Sequence, residues 1–220
     1  IHDDIYKVLS TADISYIKWD MNRSITECGS AGWPAAQQGE IFHRYILGVY
    51  DLYERLTSEF PHILFESCAS GGGRFDPGMF YYAPQAWASD DSDACERLFI
   101  QYGTSYCYPL SFIGSHVSIT PNHQVFRNTS LKFRGDVAYF GSFGYELDLG
   151  RLSPEEFEEV KEQIKFMKKY RQLIQYGTFY RIKDPFAGNE AAWMVVSPDK
   201  KQAIFGFYRM LSKSCMPFSL

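Results

Sequence analysis

Apolar and polar positions alternate most clearly over Ile14-Ser15-Tyr16-Ile17-Lys18-Trp19-Asp20-Met21-Asn22-Arg23. The β-branched and aromatic run favours a strand. That places Ile17 and Trp19 on one face and Lys18, Asp20 and, if the strand persists, Asn22 on the other. Such a polar row suits a strand inside an α/β protein, with its apolar face under helices and its polar side chains at the C-terminal mouth. A purely structural Lys–Asp ion pair at a strand end fits the spacing at least as well.

Elsewhere the period changes along the chain. Residues 3–9 read as the end of a helix. Ile41, Phe42, Tyr45, Ile46, Val49, Leu52, Tyr53 and Leu56 recur at three- and four-residue spacing, the signature of a helix with one broad apolar face. Ile63–Ser67 and Gln85–Ser89 read as short strands, the second leading into Asp90-Asp91-Ser92-Asp93 and a helix capped by Ser92 or Asp93. A further strand is expected between Pro109 and Thr120, ending near His116, then a helical stretch from Phe126 to Phe140 and a strand over Tyr145–Leu149. Ser153-Pro154-Glu155-Glu156 is a complete helix start, with a Ser cap, Pro at the first position and Glu at the third. After Gly177 strands follow strands: Thr178–Ile182, Ala191–Val196 and Gln202–Tyr208, with Ser197-Pro198-Asp199-Lys200-Lys201 as a hairpin connection.

This order predicts an α/β segment over residues 1–176 and the start of an all-β segment over 177–220. Polar clusters follow strands in the first segment, as at the mouth of a (β/α)-barrel, although an open doubly wound sheet gathers them similarly. A complete barrel takes about 250 residues. The expectation is therefore the C-terminal half of a (β/α)8 barrel followed by the beginning of a β-sandwich. The abrupt start at Ile1 fits a piece of a longer protein.

Composition narrows the chemistry. A net charge of −4 over 220 residues gives no support for a nucleic-acid partner. No run reaches the roughly 18 apolar residues of a membrane span. Aromatic residues make up 17% of the chain, which suits stacking on sugar C–H faces as well as a large core. The five cysteines, Cys28, Cys68, Cys95, Cys107 and Cys215, are odd in number and follow no metal-type spacing. A reducing, cytoplasmic compartment is the expectation.

Two carboxylates at the mouths of different strands are what glycoside hydrolysis requires, one ionised and one able to give a proton. Asp20 and the Asp90/Asp91 pair are the candidates. Lys18 would keep Asp20 ionised, and crowding among Asp90, Asp91 and Asp93 would push one carboxyl up. Helix capping explains Asp91 and Asp93 equally well. Ser70-Gly71-Gly72-Gly73 lacks the rest of a phosphate-binding pattern, but glycines there let backbone approach a ligand. Cys68 has no identifiable His partner and reads as a small buried residue. His116 and His123 show no metal-type pattern.

Taken together, Lys18-Trp19-Asp20-Met21-Asn22-Arg23, Glu66-Ser67-Cys68-Ala69-Ser70-Gly71-Gly72-Gly73-Arg74 and Trp87-Ala88-Ser89-Asp90-Asp91-Ser92-Asp93 closely resemble bacterial α-galactosidases of glycoside hydrolase family 36. Gly114-Ser115-His116-Val117-Ser118, Pro121-Asn122-His123-Gln124 and Phe143-Gly144-Tyr145-Glu146-Leu147-Asp148 extend the resemblance in the same order. It implies a retaining mechanism with Asp20 as nucleophile and Asp90 as acid/base, acting on terminal α-linked galactose of oligosaccharides such as melibiose and raffinose. By the same resemblance Lys18 and Asn22 meet galactose hydroxyls, Cys68, Ser70, Gly71 and Gly72 line the sugar subsite, and Trp87 lies near the sugar. No metal or organic cofactor is implied, and family members are often oligomers, so a homo-oligomeric parent is consistent with it. The family's first barrel strands and several galactose-gripping residues would precede Ile1, and Ser212–Phe218 does not continue the β-sandwich pattern. The chain alone is therefore expected to be weakly active or inactive. A related α-N-acetylgalactosaminidase or galactosyl-transferring enzyme, and a non-catalytic carbohydrate-binding or structural remnant, are the alternatives.

Overall fold

The computed structural model describes residues 1–22, 25–26 and 28–211. Arg23, Cys215 and the Ser212–Phe218 stretch lie outside the described residues. The chain divides into two compact units, Ile1–Trp87 and Ala88 onward.

The first unit contains α1 (His2–Thr11), β1 (Tyr16–Asp20), α2 (Ile41–Glu59), β2 (Leu64–Cys68), α3 (Pro77–Tyr82) and β3 (Gln85–Ala86). The three strands form one parallel sheet in the order β1-β2-β3. The apolar face expected of β1 is realised, since Ile17 and Trp19 pack against a core of Leu9, Tyr53, Leu56, Phe65 and Met79. Tyr53 and Leu56 come from the apolar stripe of α2 and are fully buried. Gln85–Ser89 is a strand for only two residues, although the Trp87 N–H still donates to the Ser67 carbonyl at 3.0 Å. Helix α3 has no long apolar stripe to announce it. Asp76 starts it by accepting from the Met79 N–H, and Pro77 supplies a preset first-turn φ.

The second unit runs α4 (Ala94–Thr104), β4 (Gly114–Ser118), α5 (Leu131–Ala138), β5 (Ser142–Glu146), α6 (Pro154–Tyr176) and then β6 (Thr178–Lys183), β7 (Glu190–Val196) and β8 (Ala203–Arg209). Strands β4 and β5 pair in parallel, and β6–β8 form an antiparallel sheet, so parallel pairing gives way to antiparallel after Tyr176. Strand β5 begins earlier than the expected Tyr145–Leu149 and ends at Glu146. The Asp148 side chain accepts from the Gly150 N–H and turns the chain into a short 3-10 helix. Helix α6 starts at the expected capping box, with Ser153 and Glu156 bonded reciprocally.

Buried polar side chains close the second unit's interior. Gln101 donates to the carbonyls of Val137 and Phe140 and accepts from Ser115 Oγ, so one amide serves α4, α5 and β4. The buried Arg97 guanidinium donates to the Gly114 carbonyl. On β7, Ala191, Trp193 and Val195 are wholly buried, with Trp193 edge-on to Phe140 at 5.7 Å and tilted against Tyr208 at 5.1 Å. Phe205 and Phe207 alternate with buried Gly206 and Tyr208 on β8 and are exposed. The sheet therefore has one packed face. Trp193→Ala is expected to cost about 3–5 kcal/mol in urea denaturation, against about 0.5 kcal/mol or less for Phe205→Ala; equal losses would contradict this assignment of faces.

Candidate active site

Parallel register builds the first cluster. Lys18 lies beside Glu66 and Asp20 beside Cys68, with Glu66 in turn beside Gln85. Alternation along a strand puts Tyr16, Lys18 and Asp20 on the same face as Glu66 and Cys68, and Asp20 and Cys68 are the last residues of their strands. Asn22, just beyond β1, donates from Nδ2 to Asp20 Oδ2 at 2.9 Å and accepts the Ser70 N–H at 2.9 Å on Oδ1. One amide side chain thus ties the end of β1 to the turn after β2.

That turn needs unusual backbone. Ser70 and Gly71 have φ of 47° and 75°, left-handed values that cost a side chain and suit glycine. A Cβ on Gly73 would sit 2.5 Å from the Ala69 carbonyl oxygen, so the third glycine is required by close approach. The Arg74 guanidinium donates to the Cys68 carbonyl at 2.7 Å, and the Met21 N–H reaches the same oxygen at 3.2 Å. The turn's shape is thereby set from both strands.

The electrostatics follow from these contacts. Partial desolvation opposes ionisation of Asp20. The Asn22 amide, the Cys68 thiol, the Lys18 ammonium and the Ser70 N–H outweigh it and hold the carboxyl below its ordinary value. Lys18 therefore contributes to keeping Asp20 ionised, but hydrogen bonds from Asn22 and Cys68 contribute more. Burial pushes the Cys68 thiol up to about 11, with the Asp20 charge adding to the effect and the Gly71 amide and Lys18 opposing it. At neutral pH Cys68 is a thiol donating to Asp20, not a nucleophile.

Lys18 Nζ lies 3.7 Å from Glu66 Oε1 and 5.0 Å from the centroid of the Trp87 ring. Trp87 is only 3% exposed, so its ring packs against neighbours and the lysine rather than standing in solvent. Glu66 has the same side chain row as Lys18 and the same near-complete burial as Trp87. No site role for it follows from the residue pattern. A charged residue directly after the apolar run Ile63-Leu64-Phe65, within a strand, is the available signal.

The acidic turn of the second unit resolves into distinct roles. Asp93 caps α4 by accepting from the N–H groups of Cys95 and Glu96, and it is ion-paired with Arg127, which also reaches Glu96 at 3.1 Å. Asp91 accepts the Asp93 N–H at 3.1 Å. Ser92 is anchored three times: its N–H donates to Gln124, its carbonyl accepts from Ser118 Oγ, and its hydroxyl accepts from Asn122. The crowding of carboxylates is therefore relieved by an arginine and by capping. Asp90 is exposed, and among the described residues no hydrogen bond or ion pair engages its carboxylate. His116 Nδ1 lies 3.4 Å from Glu146 Oε2, bridging the paired strands β4 and β5. Among the described residues no group of three His, Cys, Asp or Glu side chains could hold a metal ion, and no helix is long and apolar enough to cross a membrane.

The polar row thus gathers at the ends of parallel strands, with an ionised aspartate at its tip, and comparison with known proteins gives the family. The melibiase family model matches residues 1–177, and the chain belongs to that family. It is 55% identical over 219 residues to α-galactosidase AgaA of Geobacillus stearothermophilus, and 51% identical over 212 residues to α-galactosidase 1 of Pediococcus pentosaceus. These alignments cover 100% and 96% of this chain but 30% and 29% of those proteins, so the chain spans less than a third of their length. The crystal structure of the Geobacillus enzyme superimposes with a TM-score of 0.94 over 98% of this chain and 30% of the enzyme. The α-galactosidase of Lactobacillus brevis gives the same score at 56% identity, over 98% of this chain and 29% of its own.

The Asn22 contact makes a direct prediction. Asn22→Ala removes a donor that stabilises the Asp20 carboxylate, so the Asp20 carboxyl should titrate at a higher pH than in the parent chain. Carbon-detected NMR of aspartate-labelled protein reads this directly, and an unchanged or lowered titration would contradict the assignment.

Proposed function

We propose that the intact protein carrying this chain is a retaining α-galactosidase that releases terminal α-linked galactose from oligosaccharides of the melibiose and raffinose kind. Asp20 attacks the anomeric carbon. Asp90 first protonates the leaving oxygen and then takes a proton from water. The observation that carries this reading is the Asp20 environment: a carboxylate held ionised at a strand mouth by Asn22, Cys68 and Lys18. An ionised carboxylate is the form that can act as a nucleophile, while Asp90, exposed and without a hydrogen bond or ion pair among the described residues, is available to exchange protons.

The relatives support the same assignment. The Geobacillus enzyme has been solved with raffinose and with stachyose. The raffinose complex carries an aspartate-to-asparagine replacement and the stachyose complex an aspartate-to-alanine replacement. The two replaced aspartates are 70 positions apart, as are Asp20 and Asp90 here. Removing either member of a catalytic pair is a direct way to keep substrate intact in a site. In this reading residues 1–176 are the C-terminal part of a (β/α)8 barrel and the antiparallel strands begin a β-sandwich. Lys18, Asn22, Cys68 and the Ser70–Gly72 backbone line the galactose position, and Trp87 acts behind Lys18. The proposal needs no cofactor, and a cytoplasmic location, resting on the odd cysteine count, belongs to it. The chain alone is expected to show little activity, since the remaining two-thirds of the relatives' length has no counterpart in it.

Kinetics of the intact protein test the two roles separately. Asp20→Asn should lower kcat/KM on p-nitrophenyl α-galactoside by about a thousandfold or more. Asp90→Asn should lower kcat/KM by roughly 10²–10⁴ on raffinose and by less on the nitrophenyl substrate, whose leaving group departs without a proton. An Asp20→Asn enzyme within tenfold of the parent overturns the nucleophile assignment.

A further inference from the structure

Glu66 has no part in the mechanism above, yet its placement calls for a physical account. It is 2% exposed, in register between Lys18 of β1 and Gln85 of β3. Its Oε2 accepts from the Tyr16 hydroxyl and from Gln85 Nε2 at 3.2 Å. Its Oε1 is equally buried and has no hydrogen bond; it faces Lys18 Nζ at 3.7 Å. Taking a carboxylate out of water is costly unless it is paired. A glutamine oxygen would serve Tyr16 and Gln85 as acceptors equally well. What a glutamine could not do is attract the lysine ammonium.

Lysine carries its charge on a flexible stem with several rotatable bonds, so an ammonium needed at one place must be held there. Lys18 is held from two sides, by the Glu66 carboxylate and by the face of Trp87. We propose that Glu66 is a positioning residue: its buried carboxylate, together with the Trp87 ring, fixes the Lys18 ammonium beside Asp20, where it meets a hydroxyl of the bound galactoside. The sugar contact rests on the function proposed above; the Glu66–Lys18 coupling itself does not.

A double-mutant cycle in the intact protein tests this, using Glu66→Gln, Lys18→Met and the pair, with KM and kcat on p-nitrophenyl α-galactoside and thermal melting of each variant. Glu66→Gln is expected to raise KM about tenfold while kcat changes less. In the Lys18→Met background the same substitution should change KM by less than twofold, because the group it positions is gone. A KM for Glu66→Gln within twofold of the parent overturns the proposal, and so does a tenfold effect that persists without Lys18. A purely structural Glu66 would lower the melting temperature and leave KM alone. If Glu66→Gln does not fold, Glu66→Asp takes its place in the cycle. It keeps the charge one methylene short, and its effect on KM must likewise vanish in the Lys18→Met background. Asp20→Asn measured alongside keeps the two claims apart: activity surviving in that variant rejects the nucleophile, while the Glu66–Lys18 coupling is still read from KM.

Discussion

The parallel pairing of β1 with β2 is the constraint on which the site depends. Because side chains alternate strictly along each strand, one register fixes a whole array at once. Lys18 falls beside Glu66, Asp20 beside Cys68, and the apolar alternates Ile17, Trp19 and Phe65 are committed to the helical side. A slip of one residue would carry the polar row into that core and the tryptophan out of it. The hydrophobic packing of Tyr53, Leu56 and Met79 beneath the sheet is therefore also what aims Asp20, and stability and chemistry are set by the same register.

The strand ends are then joined by short polar contacts rather than by further sheet. Asn22 spans from Asp20 to the Ser70 amide, while the Cys68 carbonyl collects the Met21 N–H and the Arg74 guanidinium. These contacts require the left-handed backbone at Ser70 and Gly71 and the bare Cα at Gly73. The second unit uses a different device for Asp90. Its neighbours are immobilised, Asp93 by the helix it caps and by Arg127, and Ser92 by Ser118, Asn122 and Gln124. Asp90 is thus carried on a hydrogen-bonded turn, and among the described residues no hydrogen bond or ion pair engages its own carboxylate.

Much of this was legible in the residue pattern, for reasons that differ by element. The polar row of β1, the apolar stripe of α2 and the capping box of α6 are local signals, and each element formed where its signal lay. The strand within Gln85–Ser89 is shorter than its residue pattern suggests, and β5 lies earlier than Tyr145–Leu149. Strand length is decided by partners: beyond the two paired residues Trp87 still donates to the Ser67 carbonyl, and Asp148, accepting the Gly150 N–H, turns the chain into a 3-10 helix. The role of Cys68 as a donor to Asp20 and the pairing of Lys18 with Glu66 are products of register between segments nearly fifty residues apart. Sequence places Glu66 in a strand but cannot say which residue will stand beside it. The carboxylate cluster shows the same limit: helix capping explains Asp91 and Asp93 as well as the acidic crowding does, and only the start of α4 and the position of Arg127 make Asp93 the cap, with Asp91 accepting the Asp93 N–H.

If Asp20 is the nucleophile, its carboxylate forms a covalent bond to the sugar. The most direct test is to treat the intact protein with a slow-turnover fluorinated α-galactosyl substrate, digest it and map the modified residue by mass spectrometry. One added fluorogalactosyl group is expected on the peptide that contains Lys18-Trp19-Asp20, located on the Asp20 carboxylate. Modification of a different carboxylate, or inactivation without any label on that peptide, would contradict it.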